Sequence, residues 1–133
     1  MNLHLRWIAR LLLAALIVLV AGANSAACAA DISVVDDRGV RVSLASPAQR
    51  IVALAPSITE LVFAAGAGDK LIGVPRFSDY PASAKAIAKI GDASRIDIER
   101  VLSLAPDLLI GWQTGNQAAD IERLGQLGFP VYV

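Results

Sequence analysis

Four short aliphatic runs punctuate the chain: RIVALA (50–55), LIGV (71–74), LLIGW (108–112) and VYV (131–133). Each is too short for a helix of ordinary length. The β-branched and aliphatic residues follow one another without polar alternation, as in strands buried on both faces of a sheet. The segments between them carry helical signals. Ser57 and Glu60 have capping-box spacing, which predicts a helix starting at Ser57, running through ITELVFAAG and ending in a left-handed turn at Gly66 or Gly68. Asp97 is placed to cap IERVLSLA, whose apolar stripe is Ile98, Val101, Leu102 and Leu104, and Pro106-Asp107 stops it. Asn116 is placed to cap QAADIERLGQL, which ends at Gly128. A short helix is predicted from Pro81 and an extended piece at Lys89-Ile90. Strands and helices alternating through such short connections require parallel pairing. The expected fold is α/β: a Rossmann-like parallel sheet with helices on both faces. Ahead of it, ISVV and VRVSL flank Asp36-Asp37-Arg38-Gly39, the pattern of a β-hairpin.

The first thirty residues differ in kind. His4, Arg6 and Arg10 precede an unbroken apolar run from Leu11 to Ala21, and small residues follow at once, which is the layout of a cleavable export signal over 1–30. A spanning helix wants roughly 20 consecutive apolar residues. Cleavage beside Cys28 removes the only cysteine and leaves 31–133 as one domain without a disulfide. Ser25-Ala26-Ala27-Cys28 is a poor lipoprotein box, so a form lipidated on Cys28 stays open as a minor reading. Val133 lies inside an apolar strand with no helix after it to cover it, so the expectation is a truncated unit.

Several function classes find no support. Twelve basic residues are balanced by twelve acidic ones with no basic run, which argues against nucleic acid as partner. The only histidine, His4, lies in the expected signal, so neither a Ser/His/Asp triad nor a histidine-rich metal site can be assembled from 31–133. No phosphate-binding G-x-x-x-x-G-K-[ST] loop is present. An enzyme is not expected.

Ligands of open parallel α/β sheets gather beyond the carboxyl ends of the strands. Three loops there carry unusual chemistry: Ala55-Pro56-Ser57, Pro75-Arg76-Phe77-Ser78-Asp79-Tyr80-Pro81 and Trp112-Gln113-Thr114-Gly115-Asn116. Phe77, Tyr80 and Trp112 with amides and hydroxyls between them suit a large, flat, partly apolar ligand edged with hydrogen-bonding groups. The alternatives are plain: Trp112 as packing, Tyr80 as a brace for the turn, Ser57 as a helix cap.

Taken together, RIVALAPSITELVFAAGAGDKLIGVPRFSDYP, IDIERVLSLAPDLLIGW and the GN at 115–116 resemble the N-terminal lobe of class III periplasmic substrate-binding proteins of ABC importers, over Gln49 to Val133. The SDYP loop and the W-x-x-GN ending are most like members that carry cobalamin. The resemblance implies one lobe of a two-lobed binding protein in the periplasm, monomeric, without a resident cofactor. It implies a corrinoid captured at Phe77, Trp112, Tyr80, Asp79 and Ser57 and handed to a membrane permease with its ATPase. Phe77 stands where the family has a tyrosine against the corrin, and Trp112 matches a cleft tryptophan. Glu99 matches an acidic residue that docks on the permease, though on its own it reads as a solvated helix carboxylate. GDASRID (91–97) holds only small, polar and aliphatic residues where a second cleft tryptophan would lie. Haem and ferric-siderophore binders share the fold and remain the alternative.

Overall fold

The computed structural model describes residues 31–133; the expected signal over 1–30, with His4 and Cys28, lies outside the described residues. The chain opens with an antiparallel hairpin, β1 (Ile32–Val35) and β2 (Arg41–Leu44), paired from Ile32 opposite Leu44 to Val35 opposite Arg41. Four further strands form a parallel sheet: β3 (Ile51–Ala53), β4 (Leu71–Gly73), β7 (Leu108–Ile110) and β8 (Val131–Tyr132), in the spatial order β4-β3-β7-β8. Between β4 and β7, β5 (Gly91–Asp92) and β6 (Arg95–Ile96) make a second, very short hairpin that sequence periodicity does not signal. Lys89 forms a parallel bridge with Val74 beside β4, at the predicted extended piece.

Among the described residues, three α-helices cover the sheet: α1 (Pro56–Ala64), α2 (Ile98–Leu104) and α3 (Ala118–Gln126). One core layer joins Val52, Leu109 and Val131 of the strands to Ile98 and Val101 of α2 and Ile121 and Leu124 of α3. The other joins Ile51, Ala53 and Leu71 to Val62 of α1. Adjacent strand residues thus face opposite layers, which is why the aliphatic runs lack alternation. Leu54, Leu109 and Leu124 are fully buried, each contributing roughly 1.5–3 kcal/mol of transfer free energy.

Two predicted caps are corrected. α1 starts at Pro56 with Ala55 as its N-cap, and no side chain caps it; Ser57 falls inside the first turn and is exposed. A proline pre-set for the first helical turn displaced the start by one residue and dissolved the capping box. Asn116 does not cap α3, whose N-cap is Gln117, because its side chain is engaged elsewhere. Asp97 does cap α2, accepting the Arg100 amide at 2.9 Å. α1 gives way to a left-handed glycine, Gly66 at φ 79°, as predicted. The helix predicted from Pro81 is a single 3-10 turn, Ala82–Ala86.

Candidate ligand rim

β3 is flanked by β4 on one side and β7 on the other, so chain direction across the sheet reverses between β3 and β7. The helices that follow those two strands, α1 and α3, pack on opposite faces. Such a switch point leaves a crevice at the carboxyl edge, where ligands of these sheets bind. All three loops singled out in the sequence leave that edge, because β3, β4 and β7 run parallel.

The segments around the crevice are tied together by one amide. The Asn116 Nδ2 group donates to the carbonyls of Leu54 at 2.8 Å and Ala93 at 3.1 Å, while its Oδ1 accepts the Trp112 amide at 2.8 Å. Asn116 is 8% exposed. A single side chain therefore ties the end of β3, the β5–β6 turn and the loop after β7. Gln117 adds a bond from its side chain to the Ser94 carbonyl. Gly115 explains itself through Trp112: a Cβ at 115 would overlap the indole, which lies directly over the glycine. The W-x-x-G-N ending is thus a folded unit in which glycine seats the ring and asparagine anchors the loop.

The loop after β4 is anchored similarly. Ser78 and Thr59 are both buried, and their hydroxyls meet at 3.2 Å, joining the loop to α1. Thr59 also donates to the Ala55 carbonyl at 3.3 Å. Phe77, just before this anchor, has φ 65°, a left-handed conformation uncommon for an aromatic residue, and is 80% exposed. An outlier held in place by its buried neighbour and spent on presenting an aromatic ring to solvent is the kind of strain found at binding sites.

Tyr80 is 70% and Trp112 51% exposed. Asp79 and Ser57 are exposed on the same edge, and neither side chain makes a hydrogen bond among the described residues. Trp112 borders an apolar groove with Ile58 and Leu61 of α1 and with Tyr132. Phe77 and Tyr80 do not line that groove, so the three aromatics share an edge without sharing one cavity among the described residues. Glu99 stands apart from them, exposed on the first turn of α2. No group of three or more His, Cys, Asp or Glu able to hold a metal occurs among the described residues.

The anchoring residues Asn116, Ser78 and Gly115 were not foreseen as such. Four-residue spacing between a tryptophan and an asparagine after a buried strand is the signal that could have pointed to them. A Gly115→Ala substitution is expected to expel the indole from its seat. The check is tryptophan emission in a Trp7→Phe background, where a red shift is expected and an unchanged spectrum would contradict the packing.

Comparison with known proteins agrees with this architecture. Residues 51–133 match the periplasmic binding protein family. The vitamin B12-binding protein of Vibrio campbellii is 50% identical over 86 residues, covering 65% of this chain and 31% of that protein. The crystal structure of the periplasmic vitamin B12-binding protein of Vibrio cholerae superposes with a TM-score of 0.62 at 46% identity, over 65% of this chain and 34% of that one. The periplasmic haem-binding protein of Roseiflexus sp. RS-1 gives 0.59 at 34% identity, over 63% and 32%. The chain spans about a third of the length of these relatives. With the parallel sheet, its switch point and the rim loops inside the matched region, the chain belongs to the periplasmic binding protein family.

Proposed function

We propose that residues 31–133 form one lobe of the periplasmic substrate-binding component of an ABC importer, with a corrinoid such as cobalamin as ligand. The observation that carries this reading is the display of Phe77, Tyr80 and Trp112, all exposed, from one edge of a parallel sheet whose loops are pinned by buried polar side chains. Likeness to vitamin B12-binding relatives at 50% and 46% identity supports the ligand class. The aromatic rings supply apolar area for the face of a macrocycle, and Asp79 and Ser57 supply hydrogen bonds to its amide side chains. Residues 1–30 act as the export signal, and lipidation of Cys28 is a minor alternative. Glu99 meets the permease, which the ATPase drives, and the rest of the cleft comes from a second lobe of the kind the relatives' greater length accommodates.

Haem is the second reading, favoured by the haem-binding relative at 34% identity and by the exposed phenol of Tyr80, an axial ligand type for iron. Titration of the whole chain with cyanocobalamin, haemin and a ferric siderophore, followed in the visible spectrum, separates the two. A saturable change with the corrinoid alone is expected. A Soret shift with haemin that disappears in Tyr80→Phe would overturn the corrinoid reading in favour of haem.

A further inference from the structure

Among the described residues, three arginines from three different elements line one groove: Arg76 from the loop after β4, Arg95 from β6 and Arg123 from α3. Each is exposed, and none makes a side-chain hydrogen bond or ion pair with another described residue. Arg38 and Arg50, in contrast, are bonded to neighbouring carboxylate or carbonyl oxygens. Three carboxylates also line the groove, Asp92, Asp97 and Glu99. Two of them are engaged by the fold. Asp92 accepts from the Ser94 hydroxyl and from the Ser94 and Arg95 amides, and Asp97 from the Arg100 amide. Glu99 makes no hydrogen bond among the described residues, and the Ser94 hydrogen bond, joined by the charge of nearby Arg76, lowers the pKa of Asp92, which leaves Arg95 and Arg123 as the groove's uncommitted guanidinium groups.

The groove adjoins the rim. Arg76 immediately precedes Phe77, and its amide donates to Gly91 at 2.7 Å, fixing the wall of the groove to the aromatic loop. The Ala93 carbonyl on the same β5–β6 turn is held by Asn116. The six formal charges cancel, so the groove adds no long-range steering. Recognition is short-range, by planar guanidinium forks on an oxyanion in direct contact, which a free oxyanion at millimolar concentration also reaches.

We propose that this groove receives the anionic arm, a phosphate or carboxylate, of a ligand whose flat body lies on the aromatic rim. The inference rests on the ligand-capture reading above and adds a second contact to it. The groove then distinguishes ligands with a charged arm from those without.

The test uses the whole chain with cyanocobalamin, which carries a phosphodiester, and dicyanocobinamide, which lacks it. Cyanocobalamin is expected to bind about tenfold more tightly, the value of one charge-assisted contact. An Arg95→Gln/Arg123→Gln double variant is expected to remove that preference, while Lys85→Gln, on the 3-10 turn away from the groove, keeps it. Equal affinities in the unsubstituted chain, or a double variant that keeps the preference, would overturn the proposal. Orthophosphate, followed at the arginine Nε–Hε resonances, separates the groove from the rim. Saturable shifts confined to Arg76, Arg95 and Arg123 support the groove even where no corrinoid binds. Absent shifts, or equal ones at Arg100, count against it, whereas failure of both corrinoids alone counts against the rim.

Discussion

Replacing Asn116 with alanine is expected to lower the stability of the domain by about 2–4 kcal/mol, the largest effect of any alanine substitution on the rim. The side chain makes three hydrogen bonds to backbone groups of three different segments. Leu54 is fully buried, so its carbonyl loses this partner in a place water reaches poorly. A buried polar group left unpaired costs more than the net worth of the bond that served it. For a domain of this size the melting temperature is expected to fall by roughly 10–25 °C. Asn116→Asp probes the same point differently: it keeps the acceptor for Trp112 but turns a buried carboxylate oxygen toward the Leu54 and Ala93 carbonyls, so a fall at least as large as for Asn116→Ala is expected. Calorimetry on the three proteins checks the order. A fall below about 1 kcal/mol for Asn116→Ala would mean that the loops are held by something else.

The second large effect concerns the leading hairpin. Its own side chains bury little: β1 is exposed throughout, and in β2 only Val42 is buried. The turn attaches it instead. The Asp36 carboxylate accepts the Arg38 amide at 3.0 Å, the Val40 amide at 2.8 Å and the Arg38 Nε at 2.8 Å. Arg38 in turn donates to the Val131 carbonyl at 2.9 Å, and the Asp37 amide to that of Val133 at 2.8 Å, so the turn covers the outer edge of β8. Asp36→Ala removes the centre of this arrangement. Amide exchange in β1 and β2 is expected to accelerate roughly 30- to 100-fold while β3 and β7 stay protected. Uniform acceleration across the sheet would contradict an independently opening hairpin.

The same carboxylate makes the hairpin pH-sensitive. Burial opposes its ionisation, but the Arg38 hydrogen bond, the Val40 amide and the Arg38 charge outweigh burial, so its pKa lies below the ordinary value. A carboxylate depressed in the folded state stabilises above its unfolded pKa of about 3.9 and loses that contribution as pH falls through the folded value. The unsubstituted hairpin is therefore expected to loosen below about pH 4, and the Asp36→Ala hairpin to show no such step.

Local chemistry made most of the fold legible. The four aliphatic runs became the four strands of the parallel sheet because burial on both faces leaves a direct mark on composition. Asp97 was readable as a cap because its partner is three residues away. Asn116 was misread for the opposite reason: one of its partners is 62 residues away and another 23, and a short-range pattern carries no information about either. Ser57 was misread because Pro56 competes for the helix start and wins on backbone geometry. The β5–β6 hairpin escaped because two-residue strands have no periodicity to detect. The rim loops were legible as loops, since aromatics between Gly, Pro and Asp after buried strands are unusual. Their internal anchoring by Thr59–Ser78 and by Asn116 depends on tertiary contacts alone.

The central claim is that Phe77 and Trp112 stand on one pinned edge where a broad flat ligand can lie across them. In a Trp7→Phe chain, Trp112 is the only tryptophan, and its emission reports the rim directly. Titration with cyanocobalamin is expected to quench it saturably, and Phe77→Ala is expected to weaken the ligand about tenfold without altering the unliganded emission. Quenching that rises linearly with concentration, as for free tryptophan in solution, would contradict ligand capture at this edge.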